Sequence, residues 1–245
     1  MAVHHEQRRA VALVTIDRPE RRNAVDRDAL DGLTAALEAA RAAQPATRVL
    51  VLTGADGHFC AGADLKGLED ESFAVSLRAV LQSLRDAPFP TIAAVEGAAL
   101  GAGTQLAIAC DLRVAASDAR FGIPAAKLGL MVDHWTVQRL ASLAGQGPAR
   151  AMLLAADVLS GDDAVRLGFA QRTGGLDAAL AWAETIAALA PLTIQGHKLA
   201  LNALEPDLGT DPAVSAAFSR AWASADLQEG LAAFHERRSP TFRGE

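Results

Sequence analysis

Tyrosine is absent from this 245-residue chain and aromatic residues make up only 4% of it, which argues against a platform of stacked rings for a large aromatic ligand. Cysteine is nearly absent too. Cys60 and Cys110 stand in neither a C-x-x-C pair nor a His-rich spacing, so no metal site is expected. His4 and His5 adjoin each other, but the end of a chain is a poor place to hold an ion. There is no stripe of Lys or Arg, and the formal net charge is −6, so nucleic acid is not the expected partner. No apolar run reaches membrane-spanning length, and MAVHHEQRRA at the start carries no apolar signal core. The expectation is a cytoplasmic protein without a membrane span, with both thiols free.

What is present is apolar surface. Hydrophobic residues are 51% of the chain, enough for one sizeable domain, and the abundance of alanine points to close-packed helices. Strand patterns cover residues 10–16, 48–53, 91–95 and 112–115; the run Arg48–Thr53 is apolar through its middle, as in a strand buried on both faces. Asp26 reads as the N-cap of a helix to about Ala43, with Leu30, Leu33 and Leu37 at helical spacing. Further helices are predicted over 73–83, 104–109, 134–143, 149–155 and 162–167. The small residues 98–103 read as a turn, the chain from Leu176 as nearly all helix, and residues 239–242 as an extended tail. Strand–helix alternation followed by helices predicts a parallel-sheet α/β core and a helical C-terminal part.

Two segments share one property. His58–Lys66 follows one apolar strand and Glu96–Gly103 follows another, and each places small side chains where a strand gives way to a turn or helix. Such an end leaves backbone N–H groups without partners, and small side chains let a ligand approach the backbone. Two N–H groups from different loops, converging on one oxygen, would make an oxyanion hole. Ordinary tight turns between packed elements account for either loop alone. A dinucleotide turn does not, because G-A-A-L-G-A-G lacks the G-x-G-x-x-G spacing.

With these loops the chain resembles the enoyl-CoA hydratase/isomerase (crotonase) superfamily. The resemblance runs through Arg18-Pro19, Asn23-Ala24, F-C-A-G-A-D-L-K (Phe59–Lys66), Ala94–Gly97, L-G-A-G-T-Q-L-A (Leu100–Ala107), Cys110–Arg113, Ala119–Pro124 and Lys127–Gly129. It resumes at Asp226–Gly230 and Arg237–Phe242. Each string alone is weak; their order along the chain carries the likeness. It implies an α/β crotonase-like spiral of ββα units over residues 1–185 and a C-terminal helical trimerisation region over 186–245, with homotrimers often paired into hexamers. It implies a coenzyme A thioester as substrate or ligand and no separate cofactor. The backbone N–H groups of Ala63 and Ala102 would be the oxyanion donors. Arg22 and Lys66 would lie near the CoA phosphates or adenine, with Ala24, Ala61 and Asp64 along the CoA site, and Phe242 reaching the CoA of a neighbouring subunit.

Against that family the chain departs at the chemistry. Hydratases use two glutamates; the positions that should hold them are Gln105 and Ala125. Gln is neutral and takes no proton from water, and Ala offers nothing. A positioned acid or base contributes ~10²–10⁴-fold, so hydratase activity is expected to be weak or absent. Asp133 falls where dehalogenase-like members keep a nucleophile, and equally directly precedes a helix as a natural N-cap. Lys127 and Trp135 are candidates for the acyl pocket, and His134 for an acid–base group. Trp135 could equally pack in the core. Asp111 and Arg113 are expected to pair structurally, and both cysteines to be buried fillers. Three functions remain open: an enzyme on acyl- or enoyl-CoA, a non-catalytic acyl-CoA carrier, and a thioester hydrolase or dehalogenase-like enzyme using Asp133.

Overall fold

Val49-Leu50-Val51-Leu52 is apolar without interruption because both faces of its strand are covered. Val49 and Val51 face one core and Leu50 and Leu52 the other, the pattern of a strand between two helical layers. The computed structural model describes residues 2–65, 72–204 and 211–244. In chain order the described strands are β1 (Val3–Arg8), β2 (Val11–Ile16), β3 (Val49–Gly54), β4 (Thr91–Val95), β5 (Ala98–Leu100), β6 (Leu112–Ala115), β7 (Arg120–Gly122), β8 (Leu159–Ser160) and β9 (Arg172–Thr173). The described α-helices are α1 (Arg27–Ala42), α2 (Ser72–Arg85), α3 (Ala102–Ala109), α4 (His134–Ala144), α5 (Gln146–Leu154), α6 (Gly161–Arg166), α7 (Leu176–Ala187), α8 (Pro191–Asn202), α9 (Pro212–Trp222) and α10 (Ala225–Glu236).

The larger sheet has the order β1-β2-β3-β4-β6-β9, antiparallel only between β1 and β2. One face packs on α1, α2 and α3; the other packs on α7 through Ala179, Ala183 and Ile186. The smaller sheet, β5-β7-β8, pairs β5 with β7 in parallel and β7 with β8 antiparallel. The segment expected as a plain turn at 98–103 therefore contains a short strand, β5, before α3 begins. Strand β1 was not expected. Its sequence, VHHEQR, buries only Val3, and its hydrogen bonds to β2 leave no hydrophobic pattern to read.

Helix starts follow the sequence signals. Asp26 accepts from Ala29 N at 2.9 Å, and Leu30, Leu33 and Leu37 are buried beneath α1. The predicted Asp111–Arg113 pair does not form. Asp111 Oδ2 instead takes Lys198 Nζ at 2.7 Å and the Thr91 hydroxyl at 3.0 Å, which ties α8 to the sheet. Burial draws the Lys198 pKa below that of a free lysine, and Asp111 opposes the shift.

Candidate functional site

Strands β3 and β4 end side by side, and the loops that leave them continue side by side. Phe59 N donates to Glu96 O at 2.9 Å, Cys60 N to Ala98 O at 2.8 Å, and Leu100 N to Cys60 O at 3.0 Å. Cys60 thus bridges Ala99 in parallel register. Two residues further on, Gly62 lies beside Gly101. The backbones do run in contact, since a Cβ added to Gly101 would lie 3.8 Å from Gly62 Cα. Small residues are obligatory here. A Cβ at Gly103 would stand 2.1 Å from the Cys60 carbonyl oxygen, well inside contact distance, and Gly101 turns the chain with φ +54.

Val25 N donates to Gly62 O and Asp64 N donates to Val25 O, each at 2.8 Å. Both bonds flank Ala63 and leave its own N–H turned away from Val25. Ala102 is the first residue of α3, so its N–H has no acceptor within the helix. Among the described residues no acceptor takes either N–H. Both residues line a cavity of about 530 Å³.

The loops are held from below by Asn23, which is fully buried. Its Nδ2 donates to Ala55 O at 2.7 Å and His58 O at 2.5 Å, and its Oδ1 accepts from Arg18 N at 2.8 Å. Arg18 pairs with Asp26 at 2.6 Å and with Asp64 at 3.2 Å, and also donates to the Ala24 carbonyl. Both residues were visible in the sequence only as parts of matching strings. Their hub role depends on long-range pairing.

Of the expected site residues, Ala24, Ala61, Asp64, Gln105, Ala125, Lys127 and Asp133 join Ala63 and Ala102 on the cavity wall. Gln105, on the same face of α3 one turn beyond Ala102, donates from Nε2 to the Thr136 hydroxyl at 2.8 Å. Ala125 lines the same cavity from a 3-10 turn over Pro124–Leu128. Asp133 is the N-cap of α4, accepting from Thr136 N at 2.8 Å, and its other oxygen holds Arg78 at 2.9 Å. Lys127 is exposed at the edge of the wall.

Four residues lie elsewhere. Trp135 is buried in the core with the Arg78 guanidinium 4.8 Å above its ring, and does not line the cavity. Arg22 is exposed and off the wall; its neighbour Arg21 lines it instead. The difference arises because Arg22 adopts φ +48 at the end of a 3-10 turn, where its carbonyl accepts from Ala61 N at 3.0 Å. His134 is off the wall, its Nε2 3.2 Å from Gln138 Nε2. Phe242 is 39% exposed on the tail and off this chain's cavity. Lys66 falls outside the described residues.

Much of the wall is apolar and comes from segments the motifs do not mark. Phe73 and Leu77 project from α2, Phe218 and Trp222 from α9, and Phe234 from α10. Trp222 is fixed by donating to Met131 O at 3.0 Å. The i,i+4 spacing of Phe73, Leu77 and Leu81 signals a buried face without saying what that face encloses. Neither cysteine lines the cavity. Burial pushes both thiols up to about 12, so neither forms a thiolate near neutral pH.

A family model described as "Enoyl-CoA hydratase/isomerase" matches residues 6–245. The chain is 44% identical over 242 residues to the Mycobacterium tuberculosis protein named probable enoyl-CoA hydratase echA6, covering 97% of this chain and 98% of that one. It is 34% identical to the crotonyl-CoA hydratase of Syntrophomonas wolfei, covering 97% and 96%. Among solved structures, methylmalonyl-CoA decarboxylase in complex with 2-nitronate-propionyl-CoA superposes with a TM-score of 0.91 at 25% identity, covering 100% of this chain and 99% of that chain.

Proposed function

This chain belongs to the enoyl-CoA hydratase/isomerase (crotonase) family and has its α/β fold with C-terminal helices; from that premise we propose that it binds an acyl-CoA thioester with the carbonyl oxygen between the N–H groups of Ala63 and Ala102. What supports the reading is one observation: Ala63 and Ala102, whose N–H groups meet no acceptor among the described residues, line the same cavity. Fixed amide dipoles stabilise charge on a thioester oxygen without reorganising. The apolar walls from α2, α9 and α10 suit the acyl chain.

The same protein hydrates enoyl thioesters weakly or not at all. Gln105 spends one amide hydrogen on Thr136 and has no basic site, and Ala125 on the same cavity wall has no polar side-chain atom. Losing two positioned groups, each worth ~10²–10⁴-fold, leaves binding without efficient hydration, which suits a protein that holds or carries its ligand. Use of Asp133 as a nucleophile is the weaker reading, because one oxygen caps α4 and the other holds Arg78.

A crotonyl-CoA hydration assay run beside an acyl-CoA binding titration tests this reading. The expected result is saturable binding with hydration near background, and a gain of hydration in the Gln105→Glu, Ala125→Glu double variant. Robust turnover by the unaltered protein would overturn the weak-hydratase reading, and failure to bind any acyl-CoA would overturn the whole of it.

We also propose a homotrimer or paired hexamer. Leu192, Leu199 and Leu204, on and just after α8, are 80%, 74% and 78% exposed in the single chain, and such a patch favours burial against another copy. Phe242 is then available to a neighbour's ligand. Light scattering that returns the mass of one chain would refute the assembly.

A further inference from the structure

Helix α3 is buried at every residue from Ala102 to Ala109. The last carbonyls of a helix lack partners within it, and here Ala107, Ile108 and Cys110 are fully sealed from solvent. Two arginines supply the missing donors. Arg113 Nη1 donates to Ala107 O at 3.2 Å and to Cys110 O at 3.0 Å, while its Nε donates to Phe169 O at 2.6 Å. Arg139, from α4, donates through Nε to Ile108 O at 3.0 Å.

A neutral donor would satisfy a carbonyl equally well. Arg113 is 1% exposed, and among the described residues its side-chain hydrogen bonds all go to backbone carbonyls; Asp111, two residues away, is committed to Lys198 and Thr91. Burying a cation without an anion in contact is unfavourable, and the neighbouring charge of Arg139 adds to the strain. Burial and Arg139 together bring the Arg113 pKa down to about 10, which leaves it charged at neutral pH. Two guanidinium groups thus gather at the C-terminal end of the helix whose first residue, Ala102, lines the cavity.

We infer that Arg113 and Arg139 are positioning residues that polarise the thioester carbonyl through α3. They fix the helix against the loop carrying Ala63, and they offset the negative pole of its dipole, so the positive pole at Ala102 acts with less cancellation. An eight-residue helix spans about 12 Å, and across that distance in a low-dielectric interior a charge is still felt. The inference rests on the proposed binding of a thioester carbonyl at Ala63 and Ala102.

The test is the carbonyl stretching frequency of a bound acyl-CoA labelled with ¹³C at the thioester carbon, read by difference infrared spectroscopy on the full chain. The unaltered protein should lower the frequency relative to free ligand. Arg139→Met should lose a clear part of that shift, with affinity falling about threefold or less, and Arg139→Lys should restore it. A folded Arg139→Met variant with the full shift would overturn the inference. Arg113→Lys gives the second readout, a reduced shift in the variant that keeps the charge but loses the forked geometry, and an unchanged shift there would count against Arg113. Bound ligand with no shift in the unaltered protein would instead refute the binding mode on which the inference rests.

Discussion

The two ends of the cavity are built by different means. At one end two loops meet main chain to main chain, with Gly62 beside Gly101 and Asn23 beneath them. At the other end side chains from α2, α9, α10 and the segment before α4 converge. The first end is defined by register, so it tolerates almost no change. The second is defined by packing and one ion pair, so it can vary by increments. Backbone contact can therefore stay fixed at one end while side chains at the other change what fits there. Here Gln105 and Ala125 stand on the cavity wall between the two.

Substitutions should separate the two ends by magnitude. The largest effect is expected for Gly103→Ala, whose added Cβ meets the Cys60 carbonyl at 2.1 Å. Backbone has to move, at a cost of about 3 kcal/mol, with acyl-CoA binding lost as the loops separate; urea unfolding and a binding titration read both. Asn23→Ala comes next. It leaves the Ala55 and His58 carbonyls without their buried donor, a loss of about 2 kcal/mol in the same unfolding assay.

The far end should respond less. Asp133→Ala removes the cap of α4 and the partner of Arg78. The cap is worth about 1 kcal/mol, and the pair, at 31% side-chain exposure for each partner, adds no more than a fraction of that. Binding of the thioester should persist, and a loss as large as that of Gly103→Ala would erase the distinction between the ends.

The smallest effect is expected in the tail beside α10. Arg238 grips Glu229 with two bonds of 2.6 and 2.7 Å, and Thr241 N donates to the same carboxylate at 2.8 Å. Led by the Arg238 bonds, these contacts draw the Glu229 pKa from 4.5 down to about 2. A carboxyl whose pKa is lowered by folding stabilises above its unfolded value and loses that contribution as pH falls. The Thr241 amide resonance should therefore hold its position from neutral pH to about 4.5 and move as pH approaches about 2. A transition centred at the ordinary glutamate value would show that the clip does not hold in solution.

The contrast between the ends also explains what could be read in advance. Asp26 as a cap, the buried leucines of α1 and the doubly covered strand β3 are local patterns, and they stand in the sequence. So do the small residues of the two loops, because close backbone approach permits little else. Trp135, Arg22 and the Asp111–Arg113 pair were harder, since each position depends on a neighbour far along the chain: Arg78 above the Trp135 ring, Ala61 bonded to the Arg22 carbonyl, Lys198 on Asp111. The wall from α2, α9 and α10 was illegible for the same reason. An apolar helical face has one appearance whether it covers a core or lines a cavity.

A structure of the full chain with a non-hydrolysable acyl-CoA analogue tests the central claim most directly. The carbonyl oxygen should lie about 3 Å from both Ala63 N and Ala102 N, with the acyl chain running toward Phe73 and Trp222. An oxygen bonded to neither amide, or an acyl chain lying outside this cavity, would contradict it.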